Sequence, residues 1–193
     1  RDHTARVYQL PIERDRLIGK ATQSTTEFSG VASRAIDGNT DGRYGMGSTT
    51  HTSDKDTNPW WQLDLQEPVA ISEIVVWNRQ NSQDRLVNFR VLLLDAADQE
   101  VWGKDYLTEP DAIAPNPKLE INLATEPVAA KVRIEKIGPT ARGEYILSLA
   151  EVEIFAATEI GNNGQTLADL QQFSHATAAS EISSEGSLEA LSK

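Results

Sequence analysis

The chain has 193 residues, a formal net charge of -11 and a pI near 4.7, a balance that excludes nucleic acid, anionic membranes and polyanionic glycans as general partners. It has no cysteine, so disulfides and thiolate metal sites are ruled out, and no uninterrupted apolar run approaches the ~20 residues a bilayer-spanning helix needs. A chain of this length holds one domain with a real core and at most an incomplete second unit.

The first residue is Arg1 rather than Met and no leader pattern is visible, as expected of an excised fragment or a mature product. Residues 1–18 begin polar and alternate over 5–10 before a charged run, which reads as an N-terminal extension carrying one strand or the remainder of a preceding domain. Residues 19–47 are Ser, Thr, Gly and Asp with short apolar patches at 31–32 and 35–36, a composition that predicts loops laid over a scaffold.

The densest stretch is 51–86. His51 opens it, Asn58-Pro59-Trp60-Trp61 turns into an apolar strand, and Arg79 and Arg85 follow a second strand at 71–77. At least one of the two tryptophans is expected in the core beside Leu63 and Leu65. Further strands are predicted at 88–95, 100–107, 119–123, 131–137 and 147–155, separated by Pro, Gly, Asn and Thr. Many short strands without a sustained helical period indicate an all-β protein, an antiparallel β-sandwich or jelly roll. Past 157 the chain turns to Ala, Ser, Glu and Gln with a helical segment at 166–173, and 175–180 echoes 20–25 as the start of a truncated second repeat would. The expected organisation is an extension at 1–18, a domain at 19–157 and a tail at 158–193.

Two clusters carry chemistry. Arginine offers a rigid fork of donors and histidine a donor plus an acceptor, so His51, Arg79 and Arg85 near strand ends suit a small polyhydroxylated ligand. Read singly, His51 is a structural residue capping a turn before Pro59, and the arginines are surface partners of Asp84 or Glu73. The second cluster, Asp37-x-Asn39-x-Asp41-Gly42, opens like an EF-hand loop but has Ser48 where that loop needs Glu, and no flanking helices, so an EF-hand is rejected. Glu151 stands between Ala150 and Val152 in an apolar strand, where a carboxylate needs a partner or solvent.

In order along the chain, ATQS at 21–24, AIDGN at 35–39, His51-Thr52, NPWW at 58–61, Asp64-Leu65, WNR at 77–79, Arg85-Leu86 and LSLAEV at 147–152 resemble the discoidin, or coagulation factor 5/8 type C, domain, and within it the F-type lectins (fucolectins). The resemblance implies an eight-stranded jelly roll that binds L-fucose-containing glycans and carries a structural calcium ion. It places the sugar-binding triad on His51, Arg79 and Arg85. Tyr44, Met46 or Phe28 on the preceding loops suit the apolar wall that a 6-deoxy sugar's methyl group requires. Its calcium ligands fall on the Asp37 side chain, the Arg34 and Asn39 carbonyls, Ser48, the Ala150 carbonyl and Glu151. Against the family pattern there is one residue fewer between His and the first Arg and one more between the arginines. Asn81 stands for an Asp, and Ser82-Gln83 for an adjacent cysteine pair.

The expected function is a calcium-stabilised carbohydrate-binding module for fucosylated or other glycans, secreted, periplasmic or on a cell surface. It would work beside tandem domains or in a larger parent protein, without nucleic acid or membrane insertion. The alternative is a discoidin-type protein-interaction or structural accessory domain, which would use exposed apolar loop tips. No phosphate loop, nucleophile elbow or metalloenzyme motif points to an enzyme.

Overall fold

A computed structural model describes residues 16–157. The strand expected at 5–10, the helical segment at 166–173 and the repeat echo at 175–180 lie outside the described residues. Seven strands form: β1 (Gly19–Gln23), β2 (Trp60–Asn78), β3 (Phe89–Leu94), β4 (Glu100–Tyr106), β5 (Lys118–Asn122), β6 (Val128–Lys136) and β7 (Leu149–Ala156). All pairings are antiparallel. The resemblance implied eight strands; the described residues form seven.

The sandwich is organised by β2, which is 19 residues long and belongs to both of its layers. Its first part, through Asp64, lies between β1 and β6, and β3 and β4 extend that layer beyond β6. Its last part, from Ile71, lies between β5 and β7. The register with β6 breaks between Asp64 and Val69, around Pro68, resumes at Val69 and Ala70, and from Ile71 the strand belongs to the other layer. The sequence predicts two strands here, because Gln66, Glu67 and Pro68 interrupt the apolar pattern. These residues are exposed, yet the extended backbone continues through them.

The inward positions alternate as a sandwich requires. Trp61 and Leu63 of β2, Val91 and Leu93 of β3, and Val132 and Ile134 of β6 meet Ile74 and Val76 of β2, Ile121 of β5, and Val152 and Ile154 of β7 in one core cluster. β1 differs from the loop expected over 19–47. It pairs Ala21 with Leu63 and Thr22 with Gln62 at the outer edge of its layer, where only one neighbour exists and polar side chains are tolerated. Arg16 bridges Phe155, and the Leu17 amide donates to Ile154 O at 2.8 Å, so the end of the predicted extension joins the edge of β7.

The apolar patches at 31–32 and 35–36 belong to a 3-10 turn, Ala32–Ala35, with Ala32 and Ala35 packed on the core. Trp61, fully buried, donates its indole N–H to Ala32 O at 3.0 Å. Trp60 lies half-buried under the Arg133 guanidinium, 5.0 Å from the ring centroid. Trp61→Phe keeps the apolar ring but leaves Ala32 O unpaired. Urea denaturation should show a loss of about 1–3 kcal/mol; an unchanged midpoint would remove this bond from the account of how the turn is held.

Candidate functional site

The segment 48–52 is buried throughout and runs beside the start of β7. Thr50 and Thr52 donate their amides to Leu149 O and Leu147 O at 2.8 and 3.1 Å, and their hydroxyls accept the Leu149 and Leu147 amides at 2.9 Å each. Between them the His51 amide donates to Gly30 O at 2.8 Å, and His51 O accepts from Glu27. Gly30 is required by this approach, since a Cβ there would stand 2.5 Å from His51 N. The imidazole is thus carried by backbone anchored on both sides.

The ring's tautomer follows from its neighbours. Nδ1 lies 2.7 Å from Thr52 O, which can only accept, so Nδ1 carries the proton and Nε2 accepts from Arg85 Nη1 at 3.2 Å. Burial lowers the His51 pKa, and the charges of Arg85 and Arg79 lower it further, against the Thr52 carbonyl and Glu27. Arg85 also faces Glu144, Nε to Oε2 at 3.4 Å. Phe28 and Tyr44 stand edge-on to the imidazole, with centroids at 5.2 and 5.9 Å.

Arg79 completes the group. Its guanidinium lies over the Tyr44 ring, 4.4 Å from the centroid, and Tyr44 is braced by its hydroxyl donating to Phe28 O at 2.7 Å. The residues on either side of Arg79 are tied down. Asn78 Nδ2 donates to Gln83 O and Pro115 O at 3.0 and 2.8 Å, and the Gln80 amide donates to Gly42 O at 2.8 Å. The Arg79 Nε and Nη1 atoms are buried and have no hydrogen-bond partner. A buried unpaired donor costs about 1–3 kcal/mol, and more when it is charged, unless a ligand satisfies it. Burial and the neighbouring Arg85 both lower the Arg79 pKa.

His51, Arg79, Arg85 and Tyr44 therefore meet in one place, with Phe28 against the imidazole. Phe28 is 67% exposed, and it and Ser29 both hold positive φ, 50° and 60°. That conformation is costly for a bulky side chain, and here it stands an aromatic ring at the rim of the site. Met46, on the 3-10 turn Tyr44–Met46, is 63% exposed. Tyr44 itself serves as the floor beneath Arg79 rather than as an open wall.

A cleft of about 500 Å³ opens elsewhere on the Gln83–Arg85 turn, between Val87, Leu107, Ile113 and Pro139. Its Asp84 is engaged by Arg142 and its Asn88 by Pro139 O, and no residue lining it carries a buried unpaired polar atom. The buried unpaired donors lie instead on Arg79, beside His51 and Arg85.

The acidic loop forms a ladder of Asx turns, in which the Asp37, Asn39 and Asp41 side chains accept the Asn39, Asp41 and Arg43 amides at 2.9–3.0 Å. Glu151 shares with Glu153 the face of β7 opposite Val152 and Ile154, but Arg16 and the Gly38 amide meet it there. It is fully buried, whereas Glu153 accepts the Trp77 indole N–H at 2.7 Å. Glu151 Oε1 accepts from Arg16 and from the Gly38 amide, while Oε2 is buried with no partner. Burial raises its pKa, Arg16 and the Gly38 amide pull it back, and Asp37 is near enough to push it up again. Ser48 Oγ donates to the Asp41 and Arg43 carbonyls. Among the described residues no three His, Asp or Glu side chains cluster as a metal site. The Asp37 carboxylate lies near enough to Glu151 to interact with it and one Glu151 oxygen is orphaned, a hard oxygen chemistry that fits Ca²⁺.

Sequence reading missed Glu144, Gly30 and Lys136, which line or support this site. Glu144 and Gly30 carry no local signal, because only the tertiary approach of their loops gives them a role. Lys136 does carry one, since it continues the inward alternation of Val132 and Ile134.

A factor 5/8 type C family model described as a NedA-like, galactose-binding domain matches residues 34–134. Fucolectin-3 of Anguilla japonica is 40% identical over 83 residues, covering 40% of this chain and 45% of that protein, so the chain spans less than half the length of this relative. Among solved structures, the lectin domain of lectinolysin, complexed with Lewis B antigen, is 38% identical with a TM-score of 0.63, covering 72% of this chain and 93% of that one. A fucose binding module of Streptococcus pneumoniae is 31% identical with a TM-score of 0.62, covering 73% and 96%. Motif order, the two-layered fold and these matches agree: the chain belongs to the coagulation factor 5/8 type C, or discoidin, family, on its F-type lectin side.

Proposed function

We propose that this chain is a carbohydrate-binding module that recognises L-fucose at the ends of glycans, with His51, Arg79 and Arg85 on the sugar's polar edge and Phe28 and Met46 near its methyl group. The observation that carries this reading is Arg79, whose buried Nε and Nη1 find no partner in the protein although they lie beside the ordered His51–Arg85 pair. Neutral hydroxyls satisfy such donors without needing a second buried charge. Of the similar solved domains, one is complexed with Lewis B antigen and another is a fucose binding module, which supports the same reading. The role is binding rather than catalysis, and a secreted, periplasmic or surface setting, in tandem or within a larger protein, suits it. A single site with so few polar contacts should bind a monosaccharide on the order of 0.01–1 mM, so useful avidity would come from multivalent display.

A structural Ca²⁺ would be held by the Asp37 and Glu151 side chains, Ser48, and the Arg34, Asn39 and Ala150 carbonyls. It would neutralise the buried Glu151 and tie the acidic loop to β7, steadying the 44–51 segment. The second reading is protein interaction through apolar loop tips. Phe28, Val31 and Met46 are exposed at 67%, 45% and 63%, which favours it more than the polar composition of these loops suggests.

Three measurements decide among these readings. On a glycan array probed with a multivalent display in calcium buffer, binding should be confined to fucosylated glycans and be lost in Arg79→Met. Because Arg79 is buried with unpaired donors, that change should leave the melting temperature equal or higher; a sharp fall would make Arg79 structural. Binding to no glycan by a folded sample would transfer the function to the loop tips. Calcium should raise the melting temperature of the wild-type chain and leave Asp37→Ala unmoved; equal responses would remove Asp37 from the ligand set.

The third measurement is a pH profile. The folded pKa of His51 lies below its ordinary 6.5, so its contribution to stability is complete above 6.5 and is lost as pH falls through the folded value. Protonation also sets an N–H against Arg85. Fucoside affinity should therefore be flat between pH 7 and 6.5 and decline below. A decline centred at or above 6.5 would contradict the neutral imidazole.

A further inference from the structure

β6 ends on a lysine where its alternation asks for an apolar residue. Val132 and Ile134 face the core at 0% exposure, and Lys136 follows on the same side at 5%. An ammonium there loses its hydration, a cost of several kcal/mol unless other groups replace the water. Its replacements are peptide carbonyls: Nζ donates to Arg85 O at 3.1 Å and to Val87 O at 2.5 Å. Burial lowers the Lys136 pKa to about 8, with Asp84 opposing the shift, so the group is charged at pH 7.

These two carbonyls flank Leu86, which is fully buried, in the irregular chain between the Gln83–Arg85 turn and β3. No strand ladder runs through this segment: the Leu86 amide donates to Gln83 O and the Asn88 amide to Leu107 O, both at 3.0 Å, and the Lys136 ammonium supplies the donor that the carbonyl side of each of these two peptides requires when buried. The side-chain contacts of Arg85 are at the long end of the hydrogen-bond range. One is a neutral imidazole at 3.2 Å and the other a carboxylate at 3.4 Å. The Lys136 backbone is fixed, since its amide donates to Pro59 O at 2.9 Å and it pairs with Phe89 in the β3 register.

We propose that Lys136 is the positioning residue for Arg85: its ammonium pins the carbonyls on both sides of Leu86 to the end of β6 and so sets where the Arg85 guanidinium meets His51 and the ligand. That a sugar is what Arg85 meets rests on the lectin reading; that Lys136 holds Arg85 does not. An apolar residue of equal length would suit the strand's core face better, so a lysine here serves the loop rather than the core.

The test pairs a readout of Arg85 itself with one of binding, on the full chain. In ¹⁵N spectra the Arg85 Nε–H resonance, identified by its absence in Arg85→Ala, should be sharp and slow to exchange in the unliganded protein. In Lys136→Met it should broaden or vanish while backbone amides elsewhere keep their positions. The Kd for methyl α-L-fucoside, measured by calorimetry, should rise about tenfold or more. Lys131→Met removes a lysine of the same strand that pairs with Asp98 far along it, and should change neither readout. Lys136→Gln, with an amide donor for one carbonyl, should fall between, and it decides by the same two readings if Lys136→Met does not fold. A folded Lys136 variant with the Arg85 resonance unchanged overturns the proposal, as does an equal effect from Lys131→Met. If the wild-type chain binds no fucoside but the Lys136 variants still lose the Arg85 signal, the lectin reading fails and the positioning role stands.

Discussion

The passage of β2 from one layer of the sandwich to the other is the constraint on which the rest depends. Because one continuous strand is hydrogen-bonded to β1 and β6 at its start and to β5 and β7 at its end, the two layers cannot shift against each other without breaking ladder bonds. Its last residue, Asn78, is buried and bonded to Gln83 O and Pro115 O, so the next residue, Arg79, leaves the sheet from a fixed point. His51 reaches the same point through backbone that runs beside β7, the neighbour of β2. The triad is thus built from segments distant in sequence that one strand holds in common.

That rigidity is used to keep an unfavourable arrangement in place. A chain with a net charge of -11 concentrates two guanidinium groups at one end of the sandwich, and each lowers the pKa of His51. Two unpaired Arg79 donors and two consecutive positive-φ residues, Phe28 and Ser29, add to the cost. A core with several fully buried large side chains, including Trp61, Phe89, Leu63 and Ile134, tolerates such local costs. A flexible loop would relax the donors toward solvent or toward Glu144. On the proposed lectin reading, donors held unpaired can meet a ligand without any internal bond having to break.

The acidic loop follows a related logic. Glu151 lies on the face of β7 opposite Val152 and Ile154 and is nonetheless fully buried, so the fold must supply positive charge or donors to it. Arg16 and the Gly38 amide supply these to one oxygen only. The segment that brings Gly38 to Glu151 continues through Gly42, whose carbonyl takes the Gln80 amide beside Arg79. The acidic loop and the arginine site are consequently two ends of one connected stretch of backbone.

Much of this is legible in the sequence. Alternating apolar residues between turn formers determined an all-β sandwich, because side chains on a strand point to opposite faces and only one face can be buried. Residue type and order also marked His51, Arg79, Arg85, Asp37 and Glu151, since these groups carry chemistry wherever they stand. The sequence could not decide that β2 runs unbroken past the exposed Pro68 or that the half-buried polar residues 19–23 form an edge strand, because polar positions leave no hydrophobic trace. Nor could it decide the neutral tautomer of His51, the unpaired state of Arg79, the burial of Glu151 or the service of Lys136 to Arg85. Each depends on which groups meet across large sequence separations, and burial, tautomer and charge are properties of that meeting, settled only when the two layers close.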